Sequence, residues 1–234
     1  MSFVGVDRCR GAWVAAQLTE SDGPEPWLLL WSYAPRFVDV AGPVAQAIGI
    51  DIPIGLAERG WRAADLEARQ ALPGWARSRV FLTPPRSVIE AADRLDNAAV
   101  QQLSRSLTGA GVSKQSLALS SAILDVDSAL HADSRLREIT VEVHPELCFA
   151  QMTGVDALPP KKTAAGIGAR IAALGEVWSC NVSTMLAKAP AGVGADDCLD
   201  ALAAAWSARR HFHGEARTWP EPVPATAPRM AITA

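Results

Sequence analysis

The sequence predicts an α/β protein with parallel strands at the centre of its sheet, and three stretches carry that prediction. Ala47–Gly55, Ala-Ile-Gly-Ile-Asp-Ile-Pro-Ile-Gly, is a short apolar run bounded by glycine and proline, the pattern of a strand covered on both faces. Arg137–His144 sets Ile139, Val141 and Val143 against Glu138, Thr140, Glu142 and His144, the period of a strand with one apolar face. Asp196–Arg210 has acids in its first turn, an apolar stripe of Leu199, Leu202, Ala203 and Trp206, and Arg209-Arg210 at its end. That is a helix whose charges complement its dipole.

In chain order, Phe3–Val6 and Ala12–Leu18 read as a hairpin turning near Gly11, with Asp7 close to the end of its first strand. Trp27–Tyr33 makes a third strand after the Gly-Pro-Glu-Pro breaker. Apolar residues at roughly helical spacing predict a helix over Val38–Ala47, leading into the strand that ends at Asp51. Residues 56–135 change composition and read as a helical insertion in a single domain of residues 1–234, with periodicity in Ala57–Leu72, Ser87–Leu107 and Lys114–Leu130. The segment Arg77–Arg86 between the first two of these helices contains Phe81-Leu82-Thr83-Pro84-Pro85-Arg86, a loop that two prolines hold extended. Thr163–Leu174 is a further helix, and Trp219–Pro228 reads as an extended stretch before a short strand at Met230-Ala231-Ile232.

With 234 residues, 49% of them hydrophobic, the chain can bury a sizeable core. A net charge of -3 and a pI near 5.8 carry no global signature of tight binding to long nucleic acid. The four cysteines have neither Cys-x-x-Cys spacing nor a disulfide framework, which predicts reduced thiols and a cytoplasmic protein. Asp7 interrupts what would be the apolar part of a leader, and no apolar run is long enough to span a bilayer. The expectation is a soluble protein with no membrane partner.

Asp51 is the residue that composition alone does not explain. An unpaired carboxylate inside an apolar run costs several kcal/mol or more, so it must reach the strand's end, a cation or a metal. Pro53 ends the strand, which puts Asp51 at the C-terminal lip of the sheet, where open α/β sheets bind ligands. Asp7 stands in the same position on the first strand. Asp196, Asp197 and Asp200 open a late helix, with Asp197 and Asp200 on one face at a spacing of three. Taken alone, such a pair is a helix cap and Asp7 a turn residue. Taken together, the acids form an oxygen-only ligand set for Mg2+ or Mn2+, the chemistry that activates water against a phosphodiester.

The chain also carries Gly5-Val6-Asp7-Arg8-Cys9-Arg10-Gly11-Ala12-Trp13, Ile50-Asp51-Ile52-Pro53-Ile54-Gly55-Leu56, Arg62-x-x-Asp65-x-Glu67-Ala68-Arg69 and Val80-Phe81-x-x-Pro84-Pro85-Arg86. Lys114-Gln115, Glu142-Val143-His144-Pro145-Glu146, Lys161-Lys162-Thr163 and Asp196-Asp197-Cys198-Leu199-Asp200-Ala201-Leu202-Ala203 follow in that order. In these blocks the chain resembles the bacterial and archaeal domain-of-unknown-function family four-two-nine, described as predicted RNase H-like nucleases. The resemblance implies an RNase H-like fold: a five-stranded mixed sheet, three strands antiparallel and two further strands parallel, flanked by helices. Holliday-junction resolvases of that superfamily carry an acid on the first strand, one on the fourth and a pair spaced by three on the last helix. Carried over, these are Asp7, Asp51, Asp197 and Asp200, as catalytic residues and metal ligands. The fourth-strand acid is commonly Glu in the resolvases, and the shorter Asp51 would draw an ion closer to the sheet.

The expected function is therefore a divalent-metal-dependent phosphodiester hydrolase, a nuclease acting on nucleic acid or a smaller phosphodiester. Glu142, His144 and Glu146 share one strand face and are candidates for a further ligand or acid/base group, with a structural hydrogen bond as the alternative for His144. Arg10, Arg62, Arg69, Arg86, Lys114 and Gln115 are candidates for substrate binding, with pairing along a solvated helix face as the alternative for Arg62, Asp65 and Arg69. Two other functions stay open: an ATP-using enzyme of the sugar-kinase and actin type, although Arg-Cys-Arg-Gly replaces its phosphate-cradling turn, and a non-catalytic binding protein that keeps the acids for stability.

Overall fold

The computed structural model describes residues 1–222 and 230–234. The proline-rich stretch expected to be extended falls from Val223 to Pro228 outside the described residues.

The hairpin forms as expected, from β1 (Ser2–Cys9) and β2 (Ala12–Glu20). Its turn residues have φ of 48° at Arg10 and 83° at Gly11. Two successive positive φ angles give the two-residue turn whose twist matches that of the strands it joins. β3 (Trp27–Ala34) pairs antiparallel with β2, and β4 (Ala47–Ile50) pairs parallel with β1. The helix expected over Val38–Ala47 does not form. A single 3-10 turn at Phe37–Asp39 is followed by Gly42 at φ 71° and by Pro43, which interrupt any helix. Phe37, Val40, Ala41 and Ala45 are still buried, so their spacing records a coil packed on the sheet.

Between β4 and the next strand run α1 (Ala63–Ala71), α2 (Arg86–Ala91), α3 (Asn97–Thr108), α4 (Lys114–Ala118), α5 (Ser120–Ala132) and α6 (Ser134–Ile139). Two of the expected helices are thus each divided. The side chain of Asp96 accepts from the Ala99 N–H and that of Ser113 from the Ser116 N–H, so each caps a helix of its own. β5 is shorter than expected, Thr140–Val143, because Asp133 caps α6 across the residues before it. All four β5 residues are buried, so its polar face is covered as well.

The chain continues through α7 (Pro145–Thr153), α8 (Ala164–Trp178), α9 (Val182–Leu186), α10 (Ala195–Phe212), β6 (Thr218–Trp219) and β7 (Ile232–Thr233). The sheet has seven strands, in the order β3-β2-β1-β4-β5-β7-β6, and not the expected five. β7 adds in parallel to β5 and β6 closes antiparallel on β7. One face of the sheet packs on α7, α8 and α10, and the other on α5, α6 and the 3-10 turn. Among the described residues no helix is long and apolar enough to cross a membrane.

α10 fixes the geometry that matters for the site. Gly5 and Gly49 are partners across β1 and β4, and a Cβ on either would stand 1.9 Å from the Ala201 carbonyl oxygen or 2.3 Å from that of Ala204. Only glycine fits such an approach. The helix presents small residues there, Ala201, Ala204 and Ala205, and it runs opposite to the strands, with Ala208 and Phe212 over Phe3 at their start. Its first turn therefore arrives at their C-terminal ends.

Candidate functional site

Asp7 lies two residues beyond Gly5, and Asp51 two beyond Gly49, so both project to the α10 face where the parallel pairing of β1 with β4 ends, although β1 itself runs on to Cys9. The backbone N–H of Asp51 donates to the Val6 carbonyl at 3.0 Å and extends the parallel pairing by one step. Two residues of strand span about 6.6 Å and four of helix about 6 Å, so Asp197, one turn before Ala201, faces Asp7. Asp200, 2% exposed, is buried in the same space. The register and α10 thus bring Asp7, Asp51 and Asp200 together, with half-buried Asp197 at the edge beside the Cys9 thiol, which burial and a hydrogen bond to Asp197 raise.

The electrostatics follow from this crowding. Burial raises the Asp7 carboxyl well above the usual carboxylate range, and the charges of Asp51, Asp200 and Asp197 push it further. Burial lifts Asp51 to about 7 against the opposing pull of Lys161, with Glu146 adding to the rise. Burial likewise lifts Asp200 to about 6, opposed by Lys161. Asp7 is 6% exposed, and among the described residues its side chain accepts no hydrogen bond and forms no ion pair. A buried carboxylate without a partner calls for a ligand or a cation to explain it.

Lys161 supplies part of that charge, and sequence reasoning missed it. Its ammonium donates to Asp200 Oδ2 at 2.6 Å; burial opposes its charge, and the charge and hydrogen bond of Asp200, with its other acidic neighbours, together more than offset that and raise it above its ordinary value. Asp7 and Asp51 contribute in the same direction. Three carboxylates therefore face one ammonium. Among the described residues no group of three His, Cys, Asp or Glu side chains stands ready to hold a metal ion as now placed. The chemistry of the donor set nevertheless fits a hard divalent cation: oxygen ligands and an excess of negative charge.

The other candidates divide. Glu142 is the register partner of Ile50, so it projects to the face opposite Asp7 and Asp51. It is bound there by Arg62, whose fully buried guanidinium also holds Asp65 and donates to the Ile54 and Gly55 carbonyls. Arg62 and Asp65 do pair, but in the core rather than on a solvated face, and every N–H of that guanidinium is directed at the protein itself. Glu146 accepts from Arg79 Nη1 at 2.5 Å and Arg170 Nη2 at 2.6 Å. His144 lines, with Asp51, Thr83, Arg62 and Glu142, a small pocket of about 20 Å³. Its Nε2 lies 3.2 Å from the Arg79 carbonyl oxygen, which can only accept, so Nε2 carries the hydrogen. Nδ1 is left as a buried acceptor without a partner, and burial holds the ring below its ordinary value and so neutral.

Arg10 is exposed in the hairpin turn beyond Asp7, Arg69 is half-buried on α1, and Lys114 and Gln115 are exposed at the start of α4. Arg86 is paired with Asp127 at 2.7 Å and with Glu90 at 3.6 Å.

A family model described as "Protein of unknown function (DUF429)" matches residues 5–225. No curated protein matches the chain, and no solved structure does.

Proposed function

The chain belongs to the DUF429 family of proteins of unknown function, and from that premise we propose that it has an RNase H-like fold and acts as a divalent-metal-dependent phosphodiester hydrolase, a nuclease. The fold reading is supported by three consecutive antiparallel strands followed by β4 and β5 in parallel, with β6 and β7 as an extension of the sheet. One observation carries the functional reading: Asp7 is buried without a hydrogen-bonding partner beside Asp51 and Asp200.

Asp7, Asp51, Asp197 and Asp200 would hold Mg2+ or Mn2+. The bound ion would acidify a water and offset the charge that builds on a phosphoryl group. Asp7 and Asp51 are fixed by the strand register, so they are set in place before any ligand arrives. Neutral His144 offers Nδ1 as an acceptor beside Asp51, suited to taking a proton from a water or a hydroxyl. The substrate class is nucleic acid or a smaller phosphodiester. Asp51→Asn should abolish Mg2+- or Mn2+-dependent phosphodiester cleavage while leaving the melting temperature within a few degrees of wild type or higher. Cleavage unaffected by that change would contradict the assignment.

A non-catalytic reading is favoured by one observation, the Lys161–Asp200 ion pair, which already neutralises one acid. In that reading Mn2+ would not change the melting temperature.

A further inference from the structure

The loop that carries Lys161 is anchored at three successive carbonyls. Arg79 Nη1 donates to the Leu158 oxygen at 3.0 Å, Arg170 Nη1 to the Pro159 oxygen at 2.8 Å, and the Thr163 N–H to the Pro160 oxygen at 3.0 Å. The same two arginines grip Glu146 from either side. The loop packs directly on the backbone of α8, since a Cβ on Gly166 would stand 2.1 Å from the Pro160 oxygen. Glu146, offered by the sequence as a ligand, thus fixes the arginines that deliver Lys161 to the acids. Beyond this anchored backbone, the lysine side chain is free to leave: it is 37% exposed, and a single hydrogen bond, to Asp200, holds its ammonium among the described residues.

Resting on the metal-dependent reading above, we propose that Lys161 is an exchangeable counter-ion: it holds the seat at Asp200 until a divalent cation takes its place, and the ammonium then swings out along its four-carbon stem. A lysine suits this exchange because its charge is compact and its stem flexible, whereas an arginine fork would bind a carboxylate through two bonds. The anchored loop returns it to the same place when the ion leaves. One ammonium and one divalent cation compete for the same carboxylate oxygen, so removing the ammonium strengthens binding of the ion.

The test is calorimetric titration of Mn2+ into the full chain as wild type, Lys161→Met and Asp51→Asn. Lys161→Met should bind Mn2+ about tenfold more tightly than wild type or better, from the loss of one nearby positive charge. It should also show a larger Mn2+-induced rise in melting temperature. Equal or weaker binding by Lys161→Met, with wild type binding Mn2+ in an Asp51-dependent way, overturns the exchange and leaves the metal reading standing. Failure of wild type and Lys161→Met alike to bind Mn2+ overturns both. If Lys161→Met does not fold, wild type decides the matter through reductive methylation of Lys161 followed by mass spectrometry. Methylation should be several-fold faster with saturating Mn2+ than without, and an unchanged or slower rate overturns the exchange.

Discussion

Gly5 of β1 and Gly49 of β4 lie opposite one another, and the backbone of α10 rests on both. This contact sets the depth at which the first turn of α10 meets the strand ends, and so the spacing between Asp7 and Asp200. Gly49→Ala places a methyl against the Ala204 carbonyl, a backbone atom that cannot rotate away. It should destabilise the protein by about 2–3 kcal/mol or more, measured by urea denaturation.

Arg62 is the sole cation in hydrogen-bonding contact with Asp65 and Glu142 among the described residues. Burial opposes its charge, and the two carboxylates more than offset that and raise it. Arg62→Met fills similar volume but leaves two buried acids unpaired, which should cost about 3–5 kcal/mol. A double variant, Arg62→Met with Glu142→Gln, should recover part of that loss in the same denaturation experiment.

These two contacts also mark what was legible in the sequence. β1 to β4 were legible because apolar runs bounded by Gly and Pro are local signals, and the acids because a carboxylate is conspicuous in an apolar run. Val38–Ala47 misled because burial of coil residues imitates helical spacing. β6 has two residues, too short to show any period, whereas β7 at Ile232–Thr233 overlaps the short strand expected at Met230-Ala231-Ile232. Arg62 read as a substrate-binding candidate or, with Asp65, as a solvated i, i+3 pair, because the partner that holds it in the core is Glu142, eighty residues away. Lys161 was illegible for the same reason: nothing local distinguishes it from its exposed neighbour Lys162, and its partner Asp200 lies 39 residues on.

The raised carboxyls predict how stability depends on pH. Asp51 near 7 and Asp200 near 6 bind protons in the folded state over a range where the unfolded chain, near 3.8, has released them. Their contribution is fully present below the unfolded value and is lost as pH rises through about 6 to 7. Without divalent ions the melting temperature should therefore fall between pH 5 and pH 7.5 more steeply in wild type than in Asp51→Asn. Saturating Mn2+ should remove much of that slope.

Glu146→Gln keeps the shape between Arg79 and Arg170 but removes the charge they share. It should lower the melting temperature and, by loosening the loop at Leu158–Pro160, increase the reactivity of Lys161 to methylation even without Mn2+. A drop in stability with Lys161 reactivity unchanged would mean that Glu146 stabilises the core without positioning the loop.

Binding of a divalent cation by Asp7 of β1, Asp51 just beyond β4 and Asp200 of α10 is checked by manganese anomalous scattering from Mn2+-soaked crystals. The expected result is a peak among Asp7, Asp51 and Asp200, with the Lys161 ammonium displaced from Asp200. A map with no peak there, and with Lys161 still bonded to Asp200 at saturating Mn2+, would contradict it.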